Sequence, residues 1–176
     1  MWTRATWYEC SSELSEVCTR FRNAYWGTRH QSWPRHPDDE RDMRSASADG
    51  VQLLRALALA VRSEQDFNLV PLSKEVVGAF KRRDASPNDA VNVKQNSGYQ
   101  RILQAPGFGP MHLRQALNKI AHADPRTVDF YVGPMHSSHD LLLYGDDHGD
   151  RWFAAISLLR LIEAIRSLPD ASITAE

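Results

Sequence analysis

The sequence has few cysteines and almost no net charge. Two cysteines occur among 176 residues, and 21 basic residues stand against 22 acidic ones, which leaves a formal net charge of −1. So few cysteines exclude a small fold held together by disulfide bonds, and the balanced charge excludes a general electrostatic attraction to nucleic acid. Contact with an anionic partner therefore needs a local basic patch.

The sequence also lacks long apolar stretches. No run approaches the roughly 18 apolar residues of a membrane-spanning helix, and the segment from Met1 to Trp7 has no apolar core of a signal peptide. These absences predict a cytoplasmic protein with no membrane partner.

The two cysteines, Cys10 and Cys18, lie in one helical pattern. Their separation corresponds to a rise of about 12 Å along a helix, which is too long for a disulfide bond. We therefore expect two free, buried thiols.

The sequence contains enough apolar residues for one core. With 42% hydrophobic residues, the chain 1–176 is expected to form a single domain, with a mobile loop at 84–100 and a frayed tail at 168–176. Apolar periodicity predicts a mainly α fold, a helical bundle of about five helices with a small β-hairpin before the last helix. The predicted helices span Thr6 to Tyr25, Asp39 to Glu64, 73–82, 110–124 and Asp150 to Leu168, and the predicted hairpin strands are 127–132 and 141–144.

The segment 109–124 is both an amphipathic helix and a concentration of side chains able to do chemistry. Arg114, Asn118 and His122 follow one another at i, i+4 and i+8, so their side chains form one row, called the polar stripe below. Lys119 lies beside this row. The core face of the same helix consists of Leu113, Ala116, Leu117, Ile120 and Ala121.

An arginine followed by a polar residue, Gln115, and later by a histidine on one helix resembles the signature helix of the HEPN superfamily. Seven residues separate Arg114 from His122, where that family usually has four to six. The stretch from Leu113 to Ala123 also resembles segments of uncharacterised bacterial proteins. The HEPN resemblance implies an all-helical domain, in many members a metal-independent ribonuclease of toxin–antitoxin or antiviral defence systems, with two such helices facing each other across a dimer.

The polar stripe suggests RNA cleavage without a cofactor. His122 would exchange the proton of a ribose 2′-hydroxyl, Arg114 would hold the phosphate oxygens and Asn118 would orient the RNA backbone. The alternative is that all three are ordinary residues on the solvent-facing side of a helix, with His122 favourably placed near the helix C-terminus.

Other basic residues add to the expectation of an RNA partner. Arg29, Trp33 and Arg35 combine cations with a ring for stacking, as nucleic-acid sites do, and Lys119 adds a cation beside the polar stripe. The predicted partners are RNA and either a second copy of the chain or another protein.

A group of histidines and aspartates lies between positions 136 and 150. Imidazole and carboxylate together suit zinc or another divalent metal, but their spacing matches no recognised ligand motif and turn formation explains the aspartates. The prediction is that no metal is bound. The group comprises His136, His139, Asp140, Asp146, Asp147, His148 and Asp150.

Three functions remain open from the sequence. The first is a HEPN-like, RNA-directed protein with metal-independent endoribonuclease activity. The second is a non-catalytic protein–protein interaction or adaptor module, which the balanced charge and the tryptophans favour. The third is a small metal-dependent enzyme built on the hairpin and its turn.

Overall fold

The computed structural model describes residues 4–29, 36–96, 98–134 and 137–169. Within these ranges the chain forms six α-helices, one 3-10 helix and a five-stranded antiparallel sheet. The helices are α1 (Arg4–Arg29), α2 (Asp39–Asp66), α3 (Pro87–Gln95), α4 (Tyr99–Ile102), α5 (Leu113–His122) and α6 (Leu158–Arg166), and the 3-10 helix is Pro125–Thr127. The strands are β1 (Val76–Lys81), β2 (Phe108–His112), β3 (Val128–Val132), β4 (His139–Asp147) and β5 (Asp150–Ser157).

The sheet corrects the predicted fold class. A mainly α bundle with a small β-hairpin is wrong, because five strands form one sheet in the order β2-β1-β5-β4-β3, with every neighbouring pair antiparallel. The predicted hairpin is present as β3 and β4, but it forms one end of this larger sheet. The fold therefore mixes α and β structure and departs from the all-helical domain that the HEPN resemblance implied.

Strand β1 lies where the short helix 73–82 was predicted. Its sequence Val-Val-Gly-Ala-Phe-Lys is rich in β-branched and aromatic residues, and it pairs with β2 and β5. A Cβ atom at Gly78 would lie 2.3 Å from the carbonyl oxygen of Ala155, so the close approach of β1 to β5 requires glycine. Periodicity over so short an apolar segment does not separate a helix from a strand, which explains the error.

Strand β5 occupies the first half of the predicted last helix. Residues from Trp152 to Ser157 are all buried, because β5 lies between β1 and β4 and is covered on both faces. A strand buried on both faces shows a continuous apolar run instead of alternation, and this run resembles a buried helix. Helix α6 begins at Leu158, after Ser157, whose hydroxyl oxygen accepts from the N–H of Arg160 at 3.4 Å.

The segment 84–100, predicted as a mobile loop, contains α3 and the start of α4. Asp89 stabilises the N-terminus of α3, because its Oδ2 accepts from the N–H of Ser86 at 2.7 Å. Asp89 also forms an ion pair with Lys81 of β1, at 3.1 Å between Nζ and Oδ1. The loop prediction is wrong here, since the turn-forming residues Ser86, Pro87 and Asp89 begin a helix.

The sheet separates two hydrophobic clusters. Successive strand residues point to opposite faces, so Phe130 and Leu141 belong to one cluster and Tyr131 and Leu142 to the other. Helices α1, α2, α5 and α6 cover the first face, and α3 and α4 cover the second. The candidate sites lie mainly in the layer of four helices.

The first two predicted helices are confirmed as α1 and α2, whose ends lie within a few residues of the predicted positions. Both cysteines on α1 are free, as expected, but only Cys18 is buried. Burial raises the pKa of the Cys18 thiol to about 12, so this thiol stays protonated at neutral pH.

None of the helices in the described ranges is both long enough and apolar enough to cross a membrane.

Candidate functional site

The polar stripe lies on α5 and faces the C-terminal half of α2. The guanidinium group of Arg114 donates to the carbonyl oxygen of Arg62 at 3.1 Å and to Oε1 of Gln65 at 3.3 Å, and it forms an ion pair with Asp66. The side chain is 30% exposed. Acceptors on α2 thus occupy the donors that the ribonuclease mechanism assigns to an RNA phosphate.

His122 contacts the same residue of α2. Nη1 of Arg62 lies 3.1 Å from Nε2 of His122. Because a guanidinium group only donates, Nε2 is the acceptor in this hydrogen bond, and a neutral ring carries its proton on Nδ1. Asn118, between Arg114 and His122, is exposed. Arg62 therefore joins both ends of the polar stripe to α2.

Lys119 points away from the polar stripe and towards the sheet. Its Nζ lies 4.1 Å from the ring centroid of Trp152 and 5.3 Å from that of Phe80. Burial lowers the pKa of this amine, while the nearby carboxylate of Asp147 opposes the shift. The Lys119 cation is thus packed on aromatic rings of the chain itself.

Of the three remaining residues predicted to contact nucleic acid, Trp33 and Arg35 lie outside the described residues. Arg29, the last residue of α1, places its guanidinium carbon 4.7 Å from the ring centroid of Tyr25. Tyr25 and Arg29 are one helical turn apart, so a cation and a partly buried ring share one surface.

Arg29 belongs to a groove between α1, α2 and β3, called the arginine groove below. The groove has a volume of about 610 Å³, which is within the range of ligand-binding sites. Most of the residues that line its floor are apolar or aromatic. Three arginines, Arg29, Arg44 and Arg55, also line the groove. The described residues that line it are Phe21, Tyr25, Arg29, Met43, Arg44, Ser47, Ala48, Val51, Gln52, Arg55, Val128, Asp129 and Phe130.

Two arginines of the groove come from α2. Nη2 of Arg55 donates to the carbonyl oxygen of Ala123 at 3.0 Å, which is a neutral acceptor and leaves the positive charge of Arg55 in place. Arg44 forms an exposed ion pair with Glu40. Exposed pairs of this kind contribute little free energy, so Arg44 can exchange its partner at small cost.

The groove contains little negative charge. Asp129 is the one acidic residue among the described lining residues, and its carboxylate lies 2.7 Å from Nζ of Lys94 on α3. Because Lys94 balances Asp129 and Arg44 is paired with Glu40, the positive charge of the groove comes mainly from Arg29 and Arg55. An anion bound there would replace water around the arginines, and a flat or apolar group attached to it would cover the floor.

The third wall of the groove is the edge strand β3, which has no described strand on its outer side. The N–H of Gly133 donates to the carbonyl oxygen of Ser138 at 3.0 Å, and this pair continues the β3–β4 register. Hydrogen-bonded pairs alternate along an antiparallel ladder, so Val128 and Phe130 turn their backbone N–H and C=O groups away from β4. Both residues line the arginine groove.

The histidine and aspartate group is divided between the two ends of β4. His139 and Asp140 are buried at its start, whereas Asp147 and His148 are exposed at the β4–β5 turn. His136 lies outside the described residues. Among the residues that the structure describes, no group of three or more His, Cys, Asp or Glu side chains is arranged to hold a metal.

Asp140 is the most unusual member of this group. Its side chain is fully buried, between β4 and the segment that begins α4, and Oδ2 lies 2.9 Å from the position of a Cβ atom at Gly98. Burial raises the pKa of this carboxyl to about 7, and the hydroxyl of Ser138 and the backbone N–H of Tyr99 offset only part of the shift. Within the described residues, neither carboxylate oxygen has a hydrogen bond of standard geometry.

Arg29 is the one described residue of the arginine groove that was predicted from the sequence as a binding residue. The sequence of α2 did contain a pattern that could have identified this site. Arg44 and Arg55 are three helical turns apart and therefore lie on one face of the helix. Tyr25 and Arg29 give the matching signal on α1. No pattern in the sequence indicated that these two faces meet beside β3.

Comparison of this chain with family models, with curated proteins and with solved structures gave no match.

Proposed function

We propose that this protein is a binding module whose site is the arginine groove and whose ligand is anionic. The observation that carries this proposal is the convergence of Arg29, Arg44 and Arg55 on one groove with an apolar floor. Guanidinium groups bind carboxylates and phosphates through paired hydrogen bonds. Arg55 is half-buried, which strengthens such bonds, whereas Arg29 and Arg44 are exposed. A non-catalytic module was the second function expected from the sequence.

The geometry supports the groove better than the polar stripe. The guanidinium group of Arg114 already has three acceptors on α2, whereas that of Arg55 has a single neutral carbonyl acceptor at 3.0 Å. An anion gains more from contact with Arg55 than with Arg114, because none of the described ion pairs includes Arg55, whereas binding to Arg114 would first break its pair with Asp66. The HEPN resemblance and the ribonuclease mechanism stay predictions, which a cleavage assay tests.

Titration calorimetry with three defined anions tests the proposed function. The probes are inorganic pyrophosphate, an oligouridylate of about eight nucleotides and an acidic peptide of about eight residues. We expect binding of at least one probe, and at least ~10-fold weaker binding by the double variant Arg29→Gln, Arg55→Gln, because two charge-assisted contacts are lost.

Arg160→Gln is the matched control, since Arg160 is exposed on α6 and does not line the groove. This variant should bind as the wild type does. The proposal fails if no probe binds, or if the double variant folds, as judged by circular dichroism, and binds with unchanged affinity. Loss of binding in Arg114→Gln but not in the double variant would place the site on α5.

A further inference from the structure

We propose that the ligand of the arginine groove is an acidic, extended polypeptide segment of a partner protein, which adds as a sixth strand to the free edge of β3. This inference rests on the proposed function and names its ligand class. Two separate features carry it, the open backbone edge of β3 and the arginines on α1 and α2 above that edge.

The edge of β3 supplies the pairing groups. β3 ends the sheet order among the described strands, and it pairs with β4 on its inner side only. Val128 and Phe130 turn their N–H and C=O groups outwards, as the register of the Gly133–Ser138 hydrogen bond requires. An incoming strand satisfies these groups with its own backbone, which is the usual mode of peptide addition to a sheet edge.

The arginines supply the preference for acidic side chains. In an added strand, alternate side chains point to the face of the sheet that α1 and α2 cover. On that side they meet Arg29, Arg44 and Arg55, and Gln52 of α2 also lines the groove. Glutamate or aspartate at every second position would place carboxylates against guanidinium groups, whereas lysine there would be repelled.

A polypeptide fits this site better than RNA does. The free edge offers a donor and an acceptor from each outward-facing residue, and an extended peptide presents both at the same repeat distance. The sugar–phosphate backbone of RNA presents anionic acceptors at its phosphates and no regular row of N–H donors. RNA would use the arginines, but its 2′-hydroxyl donors do not repeat at the spacing of the carbonyl groups of Val128 and Phe130.

Fluorescence anisotropy with a labelled octapeptide of alternating glutamate and threonine tests the inference. Two forms of this peptide carry N-methyl groups, one at the odd and one at the even positions. Only one form can still pair with β3, because a strand turns alternate N–H groups to each side. We expect the parent and one methylated form to bind alike, and the other form to bind at least ~10-fold more weakly, since several hydrogen bonds are lost.

A peptide with lysine in place of glutamate is the charge control and should not bind. The double variant Arg29→Gln, Arg55→Gln should bind the parent peptide at least ~10-fold more weakly, whereas Arg160→Gln should not differ from wild type.

Equal affinity of both methylated forms, or equal binding of the lysine peptide, overturns strand addition. Binding of oligouridylate or pyrophosphate without the acidic peptide overturns this inference and leaves the proposed function standing, and binding of no probe overturns both.

Discussion

The polar stripe on α5 and the arginine groove both place arginines at helical spacing, and both use α2 as one wall. In the polar stripe, Arg114 is bound by acceptors on α2 and the ring of His122 accepts from Arg62. In the groove, Arg29 lies over an aromatic ring and Arg55 bonds a backbone carbonyl. The first arrangement connects two helices, and the second leaves positive charge beside an open strand edge.

If the proposed function holds, the partner of an arginine, and not its spacing, decides between a structural and a binding role. Helical periodicity identifies side chains that share a face. It does not say whether a second helix with carboxylates lies against that face. If α5 is mainly structural and the arginine groove binds a ligand, substitutions on α5 should lower the free energy of unfolding, and substitutions in the arginine groove should weaken ligand binding.

The largest expected effect tests whether α5 is first of all a core helix. Leu117 is 1% exposed, on the side of α5 opposite to solvent. Leu117→Ala should lower the free energy of unfolding by roughly 3–4 kcal/mol, because transfer free energy is lost and a cavity remains. Urea denaturation measures this value. Leu159→Ala is the matched control, since Leu159 is 64% exposed on α6; a similar loss in both variants would contradict the assigned core.

A second test uses Asp140, a buried ionisable group with neither an ion-pair partner nor an open groove among the described residues. Its pKa rises from 3.8 in the unfolded chain to about 7 in the folded one. The folded state therefore binds more protons than the unfolded state between these values. The free energy of unfolding should fall as pH rises through this window, by about 3 kcal/mol between pH 5 and pH 8, and level off above pH 7.

Denaturation of wild type and Asp140→Asn at both pH values measures this contribution. The asparagine variant should lose less stability between pH 5 and pH 8, because its amide does not ionise. Tyr131 of β3 is the register partner of Asp140 on β4. It stays neutral in this range, since burial raises the pKa of its hydroxyl. If both proteins lost stability equally, the carboxyl of Asp140 would not be the group that titrates.

A third test compares an arginine from each region directly. Arg114→Ala should lower the free energy of unfolding by about 1–2 kcal/mol, because charged hydrogen bonds to α2 are lost from a partly buried site. Arg44→Ala removes an exposed ion pair and should cost at most about 0.5 kcal/mol. Thermal and urea denaturation measure both values. A larger loss of stability in Arg44→Ala than in Arg114→Ala would mean that the groove arginine stabilises the fold and that Arg114 contributes little to stability.

The sequence predicted the parts of the fold that depend on local periodicity. The long amphipathic patterns of α1 and α2 gave helices with nearly correct ends, and alternation around Phe130 and Leu142 gave the β3–β4 hairpin. It failed at β1 and β5, which lie inside the sheet, because their central residues are buried on both faces and do not alternate with exposed ones. A strand of this type is defined by its neighbours, which a single segment does not reveal.

The same limit explains the candidate site. The residue types of the polar stripe were found correctly on one face of α5, but the acceptors Arg62 and Asp66 come from a helix about fifty residues earlier in the chain. The arginine groove needs three elements to meet, and its backbone edge is that of β3, the last of the described strands in the sheet order. Contacts between elements distant in sequence therefore set the outcome in both regions.

The smallest expected effect concerns His122 and bears on the ribonuclease prediction. His122→Ala removes an exposed side chain that accepts one hydrogen bond from Arg62, so the stability cost should be about 0.5 kcal/mol.

With single-stranded RNA and a chelator, wild type and variant should show the same background rate of RNA cleavage, without products that end in 2′,3′-cyclic phosphate. This follows because Nε2 and the guanidinium group of Arg114 are both engaged by α2. Gel electrophoresis of end-labelled RNA measures the rate. Chelator-resistant cleavage that falls at least ~100-fold in His122→Ala, and far less in Lys119→Ala, would make the polar stripe the active site and reverse the comparison.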